Sequence, residues 1–400
     1  LGEPGMLRDM APEGVDLILE NPPFGSDVSD KGVLERFATG RGKPSRRRSV
    51  LFVERSIDLL SDGGVLAVVL DDSVLNLDAN ADIRALARRE CALLAVISLP
   101  GVTFMPYSTA NSSIVIMRKG AGQGPVFMAR ASEVGRRANG EPLLDDEGNL
   151  VSDLPAIEEN WRRFRAGEEL GQTDLGYTCA LEDDLGARFD ASYYHPSRYA
   201  AAGVLGRCEH PIMPLADVFD FNSGTCSLKG VDEVVDWIGL ADIEKRTGSF
   251  RVRAVAARGI RSQVHSFSKG DILFSRLRPE LRKVAFCEDD RDGYCSSELV
   301  VMRVKEEYRD LLMPEYASIV LRSDVAYGQI VFKVTGLGRP RIGVPSLRGV
   351  LIPVPPIADQ MRAIARYRSA VVGYRRTCPQ LELQRSEALD ALARSQELDL

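Results

Sequence analysis

The sequence predicts a two-domain protein, in which an α/β first domain is followed by an α+β second domain and a long C-terminal helix. Three observations predict this. The 400 residues with 44% hydrophobic content can bury two or three cores. Aliphatic strand-like runs alternate with amphipathic helix-like runs over the first third of the chain. After about residue 210 the runs become short and β-like, and Gly, Ser and Pro interrupt them.

The first domain is predicted to hold strands and helices in alternation between Val15 and Lys119. Its strands are the aliphatic runs VDLIL, VLAVVL, LLAVISL and SSIVIM, and its helices are SVLFVERSIDLL and ADIRALARRECA. Such near-continuous aliphatic strands predict a mostly parallel sheet that is covered on both faces. The DGG at residues 62–64 follows the first helix and is interpreted as its C-cap. Ligands of such sheets bind beyond the carboxyl ends of the strands.

Domain boundaries are placed where the composition and the hydrophobic pattern of the sequence change. Residues 1–165 form the first domain, which ends with the polar passage GEPLLDDEGNL and the run IEENWRRFRAG. Residues 166–210 have weak periodicity and are predicted to be a linker. Residues 211–356 form the second domain, with strands in DWIGLADI, DILFSRL, KVAFC and ELVVMRV. Residues 357–400 are predicted to be a helical dimerisation or spacer segment, interrupted near Pro379.

Composition argues against several classes of protein. A net charge of -6 is not that of a uniformly basic protein that coats nucleic acid. No apolar run approaches the ~20 residues that span a bilayer, and no signal peptide is recognised, so a cytoplasmic protein without a membrane partner is expected. Seven scattered cysteines without a C-x-x-C pair indicate free thiols in a reducing compartment. The three histidines lack an H-x-x-x-H spacing, so no metal site is predicted.

The stretch VDLILENPPFG, residues 15–25, carries the clearest chemical signal. Pro22 and Pro23 would stiffen the turn after the strand and leave its carbonyls without local competition. The Asn21 Oδ1 and a proline carbonyl could then accept both protons of one amino group, which returns electron density to the lone pair of an exocyclic aromatic amine. Phe24 offers a ring for a base to stack on, a contact of about 1–3 kcal/mol. Two prolines after a strand often form only a stiff turn, but the full motif in this context predicts a pocket for an extruded adenine.

NPPFG matches the catalytic motif of DNA adenine-N6 methyltransferases. The stretches FVERSIDLLSDGGVLAVVL and IRALARRECALLAVISLPGVTFMPYSTANSSIVIMRKG resemble the modification subunits of type I restriction-modification systems. The resemblance covers Val15 to Gly120. It implies a partial Rossmann-like methyltransferase sheet and S-adenosylmethionine as the cofactor. The catalytic residues that it implies are Asn21, Pro22, Pro23 and Phe24.

Two features of the chain depart from that family. Asp71 stands where its members usually carry a proline after the VVL strand. The family binds its cofactor through a Gly-rich loop upstream of the catalytic motif, and only 20 residues precede Asn21. The cofactor-binding residues are therefore unknown and are expected upstream of Leu1. With that start and so early a first strand, the chain is predicted to be a fragment.

Basic residues indicate DNA contact in both domains. The stretch RGKPSRRR after the catalytic turn is either a solvated loop or a loop that contacts phosphates beside the flipped base. Between Arg251 and Pro345 there are 17 Lys and Arg against 12 Asp and Glu, so positive charge is concentrated in the second domain. Arginines near glycine loops suit both phosphate anchoring and reading of guanine edges, although a charge run is more often a solvated face. The predicted DNA contacts are Arg46, Arg47, Ser275, Arg276, Arg278, Lys283, Lys333, Arg339 and Arg341.

The second domain resembles the target-recognition domains of type I specificity subunits between Pro214 and Val372. The resemblance rests on the ordered series PLADVFDFNSGT, WIGLADIEKRTG, GDILFSRLRP, GYCSSELVVMRV and IPVPPIADQMRAIARY. Where that family commonly has two acids before a glutamine, this chain has Ala358 and Asp359. The resemblance implies double-stranded DNA as a partner. A second methylase or specificity copy, or a restriction subunit, would be a further partner.

Together these features predict site-specific DNA adenine-N6 methylation, in a restriction-modification or related defence system, with sequence recognition by a fused domain. The alternative is a non-catalytic DNA-binding specificity subunit that lacks a working cofactor site. Methylation of RNA or of a protein glutamine is a weaker alternative, because neither needs the second domain. No nuclease constellation is recognised around the acidic DIEK and EDD segments.

Overall fold

The structure is a computed structural model, and it describes residues 13–374 and 377 except 109, 121, 138, 184–186, 223 and 336–339. The chain divides into two compact units, which comprise residues 1–200 with 335–340 and residues 201–334 with 341–400. The α/β class of the first domain and the α+β class of the second are confirmed. Over the described residues, no helix is both long enough and apolar enough to cross a membrane.

The first unit begins with a strand and then alternates helices and strands. Its elements are β1 (Val15–Glu20), β2 (Asp27–Val28), α1 (Lys31–Leu34), β3 (Arg46–Arg47), α2 (Arg48–Leu59), β4 (Leu60–Asp71), α3 (Asp72–Asn76), α4 (Ala81–Glu90), β5 (Cys91–Leu99), β6 (Ser112–Lys119), β7 (Val126–Arg130), α5 (Leu154–Arg165) and β8 (Tyr177–Cys179). The helix α6 (Pro196–Gly206) follows. All four predicted strands and both predicted helices are present.

Six strands form one mixed sheet in the order β1-β4-β6-β5-β7-β8. The pairs β1/β4 and β5/β7 are parallel, whereas β6 is antiparallel to both of its neighbours and β8 is antiparallel to β7. Four of the six strands, β1, β4, β5 and β7, therefore run in the same direction as expected, and β6 and β8 run opposite to them, so the sheet is mixed. A parallel return needs a crossover of about a dozen residues or more, usually a helix. The described residues of segment 100–111, between β5 and β6, form turns and no helix, so the chain returns antiparallel.

The DGG at residues 62–64 was expected to cap the preceding helix. It lies inside β4 instead. The helix α2 ends at Leu59, and β4 begins at the next residue. The pairing of β4 with β1 shifts between Val15↔Leu60 and Leu17↔Val65, so the glycines lie in a bulge. Gly63 has a φ of 80°, in the left-handed region that favours glycine.

One face of the sheet is covered along its length, and the other is covered only in part. Side chains of α2 and α4, such as Ile57 and Ile83, pack with β4 and β6 in the largest core of the unit. On the opposite face, α5 covers β5 and β7. Leu17 and Leu19 of β1 are 57% and 75% exposed. The expected cover on both faces is therefore not found at β1 in the described part of the chain.

The segment 166–210, predicted as a linker, packs part of its length into the first unit. Phe189, Ala191 and Tyr194 are buried in the core of that unit. The buried Arg84 guanidinium donates hydrogen bonds to the carbonyls of Ala187, Val74 and Leu77 at 2.9–3.0 Å. These contacts anchor the segment.

The second unit is built mainly from short strands. Its elements are β9 (Ile212–Pro214), α7 (Leu215–Val218), β10 (Phe219–Asn222), β11 (Val234–Ile238), β12 (Arg253–Ala256), β13 (Val264–Phe267), β14 (Ile272–Ser275), β15 (Val284–Phe286), β16 (Gly293–Ser296), β17 (Leu299–Val304), α8 (Pro314–Arg322), α9 (Asp324–Ile330), β18 (Val334–Thr335), β19 (Arg341–Ile342), α10 (Val344–Arg348) and β20 (Leu351–Pro353). A last helix, α11, begins at residue 357 and is described to residue 374.

Two four-stranded sheets form the framework of this unit, in the orders β10-β17-β14-β15 and β12-β11-β16-β13. The helices α8 and α9 pack on the first of these sheets, and Ile364 of α11 belongs to the same core. The predicted interruption near Pro379 lies outside the described residues.

Candidate functional site

The N-P-P-F turn lies at the carboxyl edge of the sheet, directly after β1. The preceding residue, Glu20, pairs with Val68 of β4 in a parallel register. Pro22 is buried and fixes the turn, whereas Asn21 is exposed. The Asn21 side chain therefore stands at the sheet edge where ligands of α/β folds bind.

Glu20 places a partly buried carboxylate beside the turn. Its Oε2 accepts a hydrogen bond from the Ser56 hydroxyl at 2.7 Å. Its Oε1 is buried and has no hydrogen-bond partner among the described residues. Burial raises the pKa of Glu20, and the bond from Ser56 opposes that shift. Glu20 is the acid that precedes the motif in the sequence, but it was not among the predicted site residues.

Phe24 is half-buried against a second aromatic ring. The ring of Phe104 meets it edge to face, with 5.3 Å between the centroids and 63° between the planes. Phe104 belongs to the turns that follow β5, in which Tyr107 is 93% exposed. Sequence reasoning missed Phe104. The available signal was an aromatic residue in the loop after another strand that ends at the same sheet edge.

Two acids occupy the carboxyl end of β4. Asp71, at the position where a proline was expected, is buried and accepts hydrogen bonds from the hydroxyls of Ser49 and Ser73. Burial, followed by the nearby charge of Asp190, raises the pKa of Asp72 to about 6. These side chains form a polar layer at the end of the strand that is parallel to β1.

The basic stretch folds back beside the N-P-P-F turn. Asp27 and Val28 of β2 pair with Arg47 and Arg46 of β3. The Arg46 guanidinium is buried and bonds to Asp82, Ala79 and Asn80. The Arg47 side chain is 39% exposed and lies 3.5 Å from the Asp71 carboxylate. Of these two arginines, Arg47 is the one placed to reach a ligand.

A groove of about 380 Å³ borders the turn on the uncovered face of the sheet. Its lining is apolar apart from Glu20 and Asn21, and it includes Leu19, Val69 and Ile114. S-adenosylmethionine carries charged amino-acid and sulfonium groups and a ribose that need polar partners. Apart from Glu20 and Asn21, the groove residues do not supply that set, so this groove does not fit the cofactor by itself.

The predicted DNA contacts of the second unit are four arginines, one serine and two lysines. Arg276 and Arg341 come together at the carboxylate of Glu298. Arg278 has a φ of 50°, in the left-handed region, at the start of a short 3-10 turn. The Ser275 hydroxyl is used internally, because it donates to the Leu277 carbonyl at 2.7 Å.

The two predicted lysines are partly buried. The Lys283 ammonium donates to the Leu240 carbonyl at 2.5 Å, and burial lowers its pKa. The Lys333 ammonium lies 5.5 Å from the centroid of the Phe332 ring, and burial lowers its pKa as well. Arg339 lies outside the described residues.

Comparison with known proteins finds relatives of the first unit among DNA methylases. Residues 5–163 match the family model described as N-6 DNA Methylase. Over 167 residues the chain is 29% identical to the type I restriction enzyme EcoEI methylase subunit of Escherichia coli. That match covers 39% of this chain and 34% of the relative, so the chain spans about a third of the relative's length. The resemblance that the N-P-P-F motif indicated is confirmed for this part of the chain.

Solved structures show only a low overall likeness. A structure from a study of assembly in the type I R-M system is 19% identical, with a TM-score of 0.38, over 50% of this chain and 43% of that one. The HsdS subunit from Thermoanaerobacter tengcongensis is 22% identical, with a TM-score of 0.37, over 46% of this chain and 47% of that one. At these values the likeness carries no argument about function.

Proposed function

We propose that this protein takes part in site-specific methylation of adenine N6 in double-stranded DNA, with catalysis by the first unit and sequence recognition by the second. The observation that carries the proposal is the N-P-P-F turn at a carboxyl sheet edge, in the stretch that matches N-6 DNA methylases. The aromatic contact between Phe24 and Phe104 supports it, because it fixes a ring beside the exposed Asn21.

In this proposal the turn holds an extruded adenine by its amino group. The Asn21 Oδ1 and the Pro22 carbonyl accept the two N–H protons, and the nitrogen lone pair then points away from both acceptors. Pro23 keeps the turn stiff, so both acceptors are in place before the base arrives. Phe24 stacks on the base, and Phe104 limits the rotation of the Phe24 ring.

The methyl group would come from S-adenosylmethionine when that cofactor is bound. Because the lining of the groove beside Asn21 is apolar apart from Glu20 and Asn21, further polar groups for the cofactor would have to come from outside this groove. The contribution of this chain is to hold the amine, orient its lone pair and exclude water from one side of the base.

DNA would approach along basic side chains in each unit. Arg47 lies beside the catalytic turn through the pairing of β2 with β3. In the second unit, the side chains proposed to contact DNA are those of Arg276, Arg278 and Arg341. Three other predicted contacts already form hydrogen bonds within their own units, namely Ser275, Arg46 and Lys283. In this proposal they stabilise the loops that bind DNA. A second methylase or specificity copy, or a restriction subunit, would complete the assembly.

Substitution of Asn21 tests the catalytic half of the proposal. The protein encoded by the complete gene, with any subunits it needs, is given labelled S-adenosylmethionine and DNA that contains its target. Asn21→Ala should reduce methyl incorporation at least ~100-fold, since it removes a preorganised acceptor. DNA binding should stay within about twofold, because Asn21 makes no phosphate contact in this proposal. The matched control is Asn139→Ala, an exposed asparagine of the same unit. Unchanged methylation by a folded Asn21→Ala protein would contradict the proposal.

The second candidate function is a DNA-recognition subunit without catalysis. It is favoured by one observation, namely that Glu20 and Asn21 are the polar residues in the lining of the groove beside Asn21, which is few for the charged groups of the cofactor. This candidate predicts sequence-specific DNA binding with no methyl incorporation by wild-type protein of the complete gene. Detection of methyl transfer that depends on Asn21 would exclude it.

A further inference from the structure

The second unit contains a cleft of about 450 Å³ with charged side chains in its wall. Arg276, Arg341 and Arg348 contribute three positive charges, and Glu298 contributes one negative charge. Phe221 forms an apolar part of the wall, with the Arg348 guanidinium 4.9 Å from its ring centroid. The cleft is therefore suited to a polar, electron-rich ligand.

Backbone hydrogen bonds place three of these side chains next to one another. The Arg276 N–H donates to the Glu298 carbonyl at 3.0 Å, and the Ile342 N–H donates to the Arg276 carbonyl at 3.0 Å. The segments that carry Glu298, Arg276 and Arg341 thus run side by side. Their relative positions are set by the main chain.

The Glu298 carboxylate fixes the Arg341 guanidinium through hydrogen bonds and lies within ion-pair distance of the Arg276 guanidinium. The Arg341 Nε donates to both carboxylate oxygens at 3.0 Å, and its Nη2 donates to Oε1 at 2.6 Å. The Arg276 Nε lies 3.9 Å from Oε2. Both arginine side chains are 35% exposed and Glu298 is 27% exposed, so all three reach solvent. An arginine held in this way loses little conformational freedom when it binds a ligand.

The carboxylate argues for a base edge and against a phosphate as the ligand. The three arginines would attract a phosphate and Glu298 would repel it, whereas a base edge that carries an amino group also gives the carboxylate a donor. In the major groove, a G·C pair presents two acceptors on guanine and then an amino donor on cytosine. Arginine donors beside a carboxylate acceptor match that order. An A·T pair presents an acceptor, a donor and an acceptor, and does not match it.

We propose that Arg276, Glu298 and Arg341 read one G·C base pair of the DNA target. One arginine donates to guanine, and Glu298 accepts from the cytosine amino group while it positions the guanidinium groups. This inference rests on the proposed function, because it assigns a base pair to the recognition unit. The competing account is that Glu298 only ties β19 to β17 through an ion pair.

A selection experiment separates the two accounts. The protein of the complete gene is mixed with a random duplex library, and sequencing of the bound duplexes gives the preference at each position. Wild type is compared with Glu298→Gln and Arg341→Lys. The matched control is Glu306→Gln, which removes the same charge from an exposed pair with Arg309. Melting temperatures establish that each variant is folded, and Arg341→Lys decides the test if Glu298→Gln does not fold.

The proposal predicts that both variants lose the preference for G·C at the same single position. The loss should be roughly ten- to hundredfold in discrimination, the range for one bidentate contact, with the other positions unchanged. The control should keep the full preference. A folded variant that retains the G·C preference, or that loses affinity equally for all sequences, overturns the inference and leaves the proposed function standing. Wild-type protein without any sequence preference overturns the recognition half of the proposed function, and the inference with it.

Discussion

Phe104 meets Phe24 edge to face, with 5.3 Å between the ring centroids and 63° between the planes. The two residues lie in turns at the carboxyl ends of β1 and β5, strands that are not neighbours in the sheet. An edge-to-face pair holds both rings in defined orientations and contributes about 0.5–1.5 kcal/mol beyond the burial of area. The contact therefore fixes the ring on which the extruded base is proposed to stack.

Substitution of Phe104 should weaken methylation without abolishing it. In the complete gene product, Phe104→Leu should lower kcat/KM for DNA methylation roughly three- to tenfold, because it removes the contact that orients Phe24. Phe24→Leu should have a larger effect, since it removes the stacking surface itself. Steady-state kinetics with a target duplex checks both. Tyr107→Leu, at an exposed position of the same turns, should leave kcat/KM unchanged. An equal loss in all three proteins would count against an orienting role for Phe104.

The buried carboxyl of Asp72 should make the stability of the first unit depend on pH. Burial and the neighbouring Asp190 raise its pKa from 3.8 to about 6, while Ser113 and Arg188 oppose the shift. Because the folded state favours the protonated form, this contribution to stability is fully present below about pH 4 and is lost as the pH rises through about 6. Asp72→Asn should therefore stabilise the protein at pH 8 by on the order of 2–3 kcal/mol and have little effect at pH 4.

Thermal unfolding of wild type and Asp72→Asn across that pH range measures the difference. Asp62→Asn is the control, since Asp62 is an exposed carboxyl near the other end of β4. Its melting temperature should follow that of wild type at every pH. If Asp72→Asn also follows wild type from pH 4 to pH 8, the assigned pKa of Asp72 is wrong.

Arg84 should be essential for the stability of the first unit. Arg84 is 2% exposed, and its guanidinium bonds to carbonyls of two segments, at Val74 and Leu77 and at Ala187. Arg84→Met should lower the free energy of unfolding by at least about 3 kcal/mol, because buried carbonyls lose charged donors. Urea unfolding measures this. Arg89→Ala, at an exposed position of the same helix, should change it by less than ~0.5 kcal/mol. Similar losses in the two proteins would show that Arg84 is not the anchor.

Gln360 should fix the start of α11 to the second unit. Its fully buried amide accepts from the Met313 N–H at 2.8 Å and donates to the Leu311 and Pro355 carbonyls at 2.7 Å. Gln360→Leu should destabilise the unit by roughly 2 kcal/mol or more, because it leaves buried groups without partners. Hydrogen exchange of residues 357–374 should rise with it. Met361→Ala, at the next and exposed position, should leave the exchange unchanged. Unchanged protection in Gln360→Leu would contradict this role.

The sequence could predict those features that depend on residues close together in the chain. The NPPFG turn consists of five consecutive residues and can be recognised from them. The aliphatic runs that form β4, β5 and β6 can likewise be recognised from their composition. The direction of β6 was not recoverable from its own residues, since it depends on the short connection after β5. The DGG was misinterpreted because a glycine pair that ends a helix and one that forms a strand bulge have the same local sequence.

Contacts between distant segments were beyond local reasoning. Phe104 joins the site only because β1 and β5 end at the same sheet edge. Arg46 and Arg47 looked equivalent as neighbours in a basic run, yet one is buried and the other is partly exposed because they alternate along β3. The convergence of Arg276 and Arg341 likewise depends on Glu298, a residue that charge counting treats as unfavourable for DNA binding.

The identity of the methylated base is the measurement that decides whether the protein takes part in adenine-N6 methylation. DNA exposed to the complete gene product and S-adenosylmethionine would be digested to nucleosides and analysed by mass spectrometry. The account predicts N6-methyladenine, formed by wild type and absent with Asn21→Ala. Methylated cytosine as the product, or the same amount of N6-methyladenine with Asn21→Ala, would contradict it.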